Sequence, residues 1–242
     1  MAEQRNYLRL LTWDPSGRRT AARLDLWQSL SGFLLALFLW AHLLLVSSIL
    51  LGKEAMAWVT RAMEGAFLSP HGEGYPVIVS VIALAITLLV VVHALLAMRK
   101  LPSNWHQYRE LRHSQQLLDH ADTRQWSLQA LTGVIILFLV PAHLFTMFAL
   151  PETIGPEGSA MRIVAGGFWI LYLPLLLVAE LHGAIGLYRL AIKWNLFPSR
   201  DPRRTRLRLQ RLKWAASGLF ILLGLATLAV FVRIGLEQGG AL

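Results

Sequence analysis

Residues 33–51 read FLLALFLWAHLLLVSSILL, an apolar run that little except His42 interrupts. About 20 such residues, wound as a helix, cross the ~30 Å hydrocarbon core of a bilayer. An ionisable side chain at that depth is costly unless something specific holds it. The run therefore predicts a membrane-spanning helix with a functional histidine in its interior.

Similar apolar runs cover residues 77–98, 128–150, 168–187 and 215–232, and three of them contain His93, His143 and His182. The chain is 55% hydrophobic and 15% charged, which is too apolar for one soluble domain. We expect an all-α integral membrane bundle of five transmembrane helices, forming a single membrane domain over residues 1–242. The expected parts are a polar cytoplasmic N-terminus at 1–22 and spans at about 24–51, 77–101, 122–150, 163–194 and 206–236.

The distribution of the net charge of +9 predicts the orientation and argues against a nucleic-acid partner. With five spans, the N-terminus and the second and fourth connections lie on one side, and they hold 19 of the 23 basic residues. Such an excess marks the cytoplasmic side. We therefore expect a membrane protein with a cytoplasmic N-terminus, whose basic face suits anionic lipid or an acidic soluble partner.

Helix geometry places two histidines near the outer face. His42 lies fifteen residues after Trp27, about 22 Å along a helix that enters from the cytoplasm. His143 lies seventeen residues after Trp126, about 25 Å along a helix with the same direction. These two side chains are therefore expected in one layer.

The other two histidines belong near the inner face, because their helices return to the cytoplasm. His93 is six residues, about 9 Å, from Arg99, and His182 is eleven residues, about 16 Å, from Lys193. Two facing imidazoles are what a six-coordinate haem iron requires. Four histidines that match in depth two by two therefore indicate two haems stacked across the bilayer.

Any haem would be bound noncovalently, as haem b is, since the chain has no cysteine for c-type attachment. The same absence excludes disulfides and thiolate-ligated iron–sulfur clusters. An alternative from a different class is a histidine-lined proton or metal transporter. That alternative would usually show discontinuous helices and related halves, and the sequence shows no matching halves.

His106, His113 and His120 recur every seven residues in the second connection, so one helix would place them on one face. The segment is rich in Gln, Arg and Glu. We interpret these histidines as solvated surface residues.

Nearly the whole chain, from about Leu24 to Gln238, resembles the two-haem cytochrome b subunit of quinol:fumarate reductase, in the succinate:quinone oxidoreductase family. The matching stretches are LDLWQSLSGFLLALFLWAHLLLVSSILLG (24–52), HALLAMRKLPSNWHQY (93–108), HADTRQWSLQALTG (120–133) and AELHGAIGLYRLAIKW (179–194).

The resemblance implies an enzyme complex in which this chain is the electron-transfer subunit. It would oxidise menaquinol and pass electrons through two b haems. An iron–sulfur subunit and a flavoprotein subunit with FAD would reduce fumarate to succinate, so the dicarboxylate site lies on another subunit. A succinate dehydrogenase anchor that reduces quinone is the alternative direction. A dimer of heterotrimers is a further level of assembly that the resemblance suggests.

The resemblance also implies roles for particular residues. His42 and His143 would bind the outer haem iron, and His93 and His182 the inner haem iron. The haem propionates would be contacted by Gln28, Ser29, Trp126, Arg162 and Lys193.

Two glutamates complete the expected site. Glu64, in the connection between the first two spans, matches a glutamate that the family uses to accept the quinol proton; without the resemblance it would be an ordinary exposed loop charge. Glu180 is the only acidic residue inside the five apolar runs, and it points about 200° away from His182 around the helix. It matches a glutamate thought to carry protons across the membrane, and its plainer role is a hydrogen bond to a neighbouring helix.

Overall fold

The computed structural model describes residues 19–117 and 121–239, and within them the chain is helical with short connections. The helices are α1 (Thr20–Val46), α2 (Lys53–Met63), α3 (Pro76–Met98), α4 (Trp105–Leu117), α5 (Ala121–Ala149), α6 (Pro156–Val164), α7 (Trp169–Lys193) and α8 (Pro202–Gly239). Short 3-10 helices at Ser47–Leu51, Ala66–Leu68 and Pro151–Thr153 join some of them. The predicted N-terminal segment lies outside the described residues up to position 18.

Five of these helices are long and apolar enough to cross a membrane, which confirms the predicted fold class. They are α1, α3, α5, α7 and α8. Among the described residues, α1, α3, α5 and α8 each expose many large apolar side chains, because their neighbours on that side are lipid. Helix α7 packs against α1, α5 and α8, and its exposed large apolar side chains are those of Trp169 and Ile170. The chain is therefore a multi-pass membrane protein.

The packing order of the spans places the histidine helices in a ring. Helix α1 packs against α3, α3 against α5, α5 against α7, and α7 returns to α1. Helix α8 lies outside this ring, mainly against α7. Consequently α1 and α5 are diagonally opposed, and so are α3 and α7.

The fourth span begins later than predicted. The expected start at residue 163 belongs to the short helix α6, and α7 begins only at Trp169. The chain turns between them at Gly167, whose φ of 69° is a left-handed conformation that a residue with a Cβ rarely adopts. Arg162, expected in a loop, consequently lies on a helix.

Two short amphipathic helices close one end of the bundle. Met56 of α2 and Ile163 of α6 are buried with Ile49, Phe231 and Ile234 in one apolar cluster. The Lys53 ammonium of α2 forms an ion pair of 3.3 Å with Glu157 of α6. Because Glu64 follows α2 directly, this end is called the Glu64 end, and the end with Lys100 and Lys193 is called the basic end.

Candidate functional site: two histidine pairs in one membrane cavity

The first histidine pair joins the diagonal helices α1 and α5. The ring centroids of His42 and His143 are 6.0 Å apart, with 57° between the ring planes. His42 also stacks on Phe38, one turn earlier on α1. The buried Nδ1 of His143 makes no hydrogen bond to any described residue. This pair is the one that the depth calculation predicted near the outer face.

The second pair joins the other diagonal, α3 and α7. The centroids of His93 and His182 are 6.4 Å apart and the rings are nearly perpendicular, at 89°. The Nδ1–H of His182 donates to the backbone carbonyl of Gln129 (2.9 Å), and the Ser31 hydroxyl lies 3.1 Å from Nδ1 of His93. A donor role for Nδ1 fixes the tautomer and leaves Nε2 with a free lone pair. Nε2 is thus available as a metal ligand.

The spacing within both pairs suits one metal ion between two imidazoles. A metal–nitrogen bond of about 2 Å on each side places the two ring centroids roughly 6 Å apart. All four histidines line one cavity of about 960 Å³ inside the helix ring. Its walls are otherwise mainly aliphatic, as in sites for large apolar cofactors.

Two glycines give the second pair its room. A Cβ on Gly32 of α1 would lie 2.7 Å from Cε1 of His93, and a Cβ on Gly133 of α5 would lie 2.9 Å from Cε1 of His182. Distances below 3.0 Å require something to shift. Both positions therefore need glycine for these imidazoles to lie where they do.

Arg162 supplies unused hydrogen-bond donors at the Glu64 end of the cavity. Its Nη2 donates to the Thr153 carbonyl (3.0 Å) and to the Ser159 hydroxyl (3.3 Å). Its buried Nε and Nη1 make no hydrogen bond to any described residue. Buried donors are normally paired. An anionic group such as a propionate in the cavity would pair them.

At the basic end, Asp25 gathers three cations. Its carboxylate lies 2.8 Å from Arg99, 3.0 Å from Lys100 and 3.1 Å from Lys193. The Lys193 ammonium also lies 3.5 Å from the Ser29 hydroxyl. Lys100 and Lys193 line the cavity, so excess positive charge surrounds its basic end.

The remaining residues expected at a propionate lie on the same cavity wall. Gln28, Ser29 and Trp126 all line the cavity. The buried Gln28 Oε1 has no hydrogen-bond partner among the described residues. Since the two ends of an amide side chain are interchangeable in assignment, this group could donate to an anion instead. The five residues thus divide between two ends, with four at the basic end and Arg162 opposite.

Glu64 is not an exposed loop charge, because only 9% of its surface is accessible. It follows α2 directly, and its backbone carbonyl accepts a hydrogen bond from Tyr75 (2.8 Å). Its carboxyl packs against the bare face of Gly74, where a Cβ would collide with it. Burial raises the pKa of this carboxyl, and Arg61 partly opposes the shift. Met63 lines the large cavity, whereas Glu64 does not.

Glu180 is completely buried, at 0% exposure. The indole N–H of Trp40 on α1 donates to both carboxyl oxygens, at 3.3 and 3.2 Å, and the indole stacks on Phe220 of α8. The interhelical hydrogen bond expected as its plainer role is thus present. Glu180 lies beside the cavity wall and not on it, since Ala179 and His182 line the cavity but Glu180 does not.

The histidines that recur every seven residues in the second connection lie apart from this site. His106 and His113 are on the exposed helix α4, and His106 forms a 3.4 Å contact with the Glu110 carboxylate. Their interpretation as surface residues is confirmed. His120 lies outside the described residues.

Asp25, Trp40 and Gln129 are parts of the site that sequence reasoning missed. The only signal for Asp25 was an acid at the start of an apolar helix, three residues before Gln28. Gln129 acts through its backbone carbonyl, and the side-chain type at a position does not reveal the role of a backbone group.

Comparison with known proteins shows which family the chain belongs to. Residues 106–231 match the family of succinate dehydrogenase/fumarate reductase transmembrane subunits. A fumarate reductase cytochrome b subunit of Helicobacter pylori is 49% identical over 217 residues, which cover 90% of this chain and 83% of the relative. The subunit of the same name from Wolinella succinogenes is 44% identical over 220 residues, with 91% and 85% covered. The chain belongs to the family of succinate dehydrogenase/fumarate reductase transmembrane subunits.

Proposed function

We propose that this chain is the membrane-anchor cytochrome b subunit of a quinol:fumarate reductase. It binds two b haems and oxidises menaquinol, while an iron–sulfur subunit and an FAD flavoprotein subunit reduce fumarate to succinate. The observation that carries this proposal is the pairing of four intramembrane histidines across both diagonals of one helix ring. The printed names of the relatives support the assignment to fumarate reductase.

Each histidine pair is proposed to hold the iron of one haem. His42 and His143 would hold one iron, and His93 and His182 would hold the other. Bound haem iron supplies one-electron transfer between the two ends of the membrane. The chain itself orients the ligands, through the Gln129 carbonyl and the Ser31 hydroxyl, and excludes water with an aliphatic cavity wall.

The propionates of the two haems are proposed to lie at opposite ends of the cavity. Arg162 has two unused buried N–H groups at the Glu64 end. Lys193, Trp126, Gln28 and Ser29 face the cavity at the basic end. A carboxylate attracts such donors and cations, because charge-assisted hydrogen bonds are stronger than neutral ones.

The basic end is proposed to face the cytoplasm of a bacterial inner membrane. The positive-inside rule supports this orientation, which also places the N-terminus in the cytoplasm. The iron–sulfur and flavoprotein subunits would then bind at the basic end, and menaquinol would be oxidised near the Glu64 end.

Glu64 is proposed as the acceptor of the quinol proton. A base for this step must come within hydrogen-bond reach of a quinol hydroxyl. Glu64 lies at the end where the His42–His143 pair is found, and its raised pKa brings the carboxyl closer to the pH at which it must both take and release a proton.

Glu180 is proposed to carry protons across the membrane alongside electron transfer. Such movement offsets the charge separation that arises when quinol is oxidised on one side and fumarate is reduced on the other. Glu180 is completely buried on α7, two positions before His182 in the sequence, and an acid at this depth is costly, which supports a functional role.

One spectrum tests the haem proposal. The purified protein should show b-type bands in the reduced-minus-oxidised difference spectrum, with about two haems per chain because there are two histidine pairs. A preparation without b-type bands overturns the cytochrome assignment and favours a histidine-lined transporter. The direction of the reaction, fumarate reduction or succinate oxidation, is tested separately, since the family includes succinate dehydrogenases. The whole complex should then turn over menaquinol with fumarate faster than succinate with quinone.

A further inference from the structure

Helix α8 is longer than the membrane requires. Its 38 residues, Pro202–Gly239, extend for about 57 Å, whereas a bilayer with its headgroup layers is about 40–45 Å thick. Its apolar run begins at Ala215, and the half-exposed Trp214 stands directly before it. Tryptophan at that position is typical of the level where hydrocarbon meets headgroups. The segment before Trp214 therefore passes through the headgroup layer at the basic end.

The buried residues of α8 define which of its faces points outward. They share one face of the helix, and they are Lys213, Ser217, Thr227, Phe231, Ile234 and Gly235. At 100° per residue, Leu219 and Leu222 lie roughly opposite them, and these leucines are 63% and 68% exposed. This outward face meets the acyl chains of the membrane.

Arg208 and Arg211 continue the same outward face toward the basic end. Both are exposed, and neither forms an ion pair with any described residue. Arg211 is three residues, about 4.5 Å, before Trp214, and Arg208 is six residues, about 9 Å, before it. The headgroup layer on each side is about 5–8 Å thick. Arg211 thus lies within this layer, and the long side chain of Arg208 reaches it from its edge.

We propose that Arg208, Arg211 and Leu212 form a binding site for an anionic phospholipid in the leaflet at the basic end. The two guanidinium groups, one helical turn apart, pair with the phosphate oxygens. Leu212 is 65% exposed and lies between Arg211 and the start of the apolar run at Ala215, so it contacts the lipid's acyl chains.

The direction of the face selects a lipid over a soluble protein. On the helical wheel Arg208 and Arg211 lie in line with the lipid-facing Leu219 and Leu222, on the side of α8 opposite its buried face. The proposed lipid site depends only on α8 crossing the membrane. Neither the haem ligands nor the quinol take part in it.

The test uses the whole complex in detergent, titrated with phosphatidylglycerol or phosphatidylcholine and read by native mass spectrometry. The unmodified complex should bind phosphatidylglycerol more tightly. In the double variant Arg208→Gln/Arg211→Gln, affinity for phosphatidylglycerol should fall about thirtyfold at low salt, since each basic residue near a membrane surface contributes about fivefold. Glutamine removes the charge and has a helix propensity close to that of arginine, so α8 should fold unchanged.

A matched control removes the same charge from the same helix. Arg203 and Arg204 lie at least ten residues, about 15 Å, before Trp214, which is beyond the headgroup layer. Arg203→Gln/Arg204→Gln should keep most of the preference for phosphatidylglycerol. Equal losses in both double variants would indicate diffuse attraction and overturn the site. Unchanged lipid binding in Arg208→Gln/Arg211→Gln, or loss of the soluble subunits in place of the lipid, would overturn it as well.

Discussion

At the scale of single residues, the two histidine pairs differ in how their rings are held. The Nδ1 of His182 is bound by the Gln129 carbonyl, whereas the Nδ1 of His143 has no partner among the described residues. A hydrogen-bonded ring keeps its orientation when its surroundings change. The His93–His182 pair should therefore remain intact when the other pair is broken.

His143→Ala is expected to lose one haem and keep the other. The His42–His143 pair cannot hold an iron from one side only, while His93 and His182 stand on different helices with their own partners. Haem content per chain should fall by about half, with loss of menaquinol oxidation. A pyridine haemochrome assay measures the content, and His106→Ala, on the exposed α4, should leave it unchanged. Full haem content in His143→Ala would contradict the pairing.

Glu64→Gln should separate quinol chemistry from haem binding. Both haems and fumarate reduction from an artificial donor should persist, while menaquinol turnover falls by about a hundredfold or more, the usual contribution of a general base. Glutamine cannot accept a proton but fits the same space against Gly74. Near-normal menaquinol turnover in this variant would remove Glu64 from the reaction.

The pH dependence of the unmodified complex should report on the same carboxyl. Glu64 acts as a base only when ionised, so menaquinol turnover falls as the pH falls through its pKa. Because burial raises that pKa above the ordinary value of 4.5, the decline should begin at a higher pH than an exposed glutamate would give. The decline should be absent from the residual activity of Glu64→Gln, and its persistence there would point to another group.

At the scale of helices, glycine determines how closely α1 and α5 approach the imidazoles of their neighbours. Gly32→Ala would place a methyl group 2.7 Å from Cε1 of His93, and Gly133→Ala would place one 2.9 Å from Cε1 of His182. Overpacking of this kind costs about 1–3 kcal/mol. Either variant should lose mainly the haem of the His93–His182 pair, visible as a weaker α band with a simpler redox titration.

Gly218→Ala is the control for these variants, because it is also a helical glycine and a Cβ there would meet nothing within 4 Å. It should retain both haems. Equal haem loss in Gly218→Ala and Gly32→Ala would mean that helix stability, and not room for the imidazole, explains the loss.

The long helices were predictable because uninterrupted apolar runs have few alternatives in a bilayer, and the histidine pairs followed from the rise per residue. The short helices α2 and α6 were not. Each has only a few buried residues, such as Met56 and Ile163, and their burial depends on contact with α8. The start of α7 was misplaced for a local reason, the turn at Gly167. The role of Asp25 depends on Arg99, Lys100 and Lys193, which are distant in sequence and meet only in the folded bundle.

At the scale of the whole molecule, Glu180 links three helices. It belongs to α7 and accepts a hydrogen bond from the indole N–H of Trp40 on α1. That indole in turn stacks on Phe220 of α8. In Glu180→Gln the amide oxygen can still accept from Trp40, so the bundle should assemble with both haems.

The same variant should lose most menaquinol-to-fumarate turnover, because glutamine cannot carry a proton. Proteoliposomes of the unmodified complex should build little membrane potential during turnover, as a voltage-sensitive dye would show. Full menaquinol-linked activity in Glu180→Gln would leave this residue as a structural contact between helices.

The diagonal pairing has a consequence for a chain that has been cut. A break in the connection that contains α4 would leave His42 and His93 on one fragment and His143 and His182 on the other. Each fragment would then carry one histidine of each pair, and neither fragment could form a pair alone. Two separately expressed pieces could therefore be rejoined by the two irons themselves, and the yield of the rejoined protein would follow the supply of haem during synthesis.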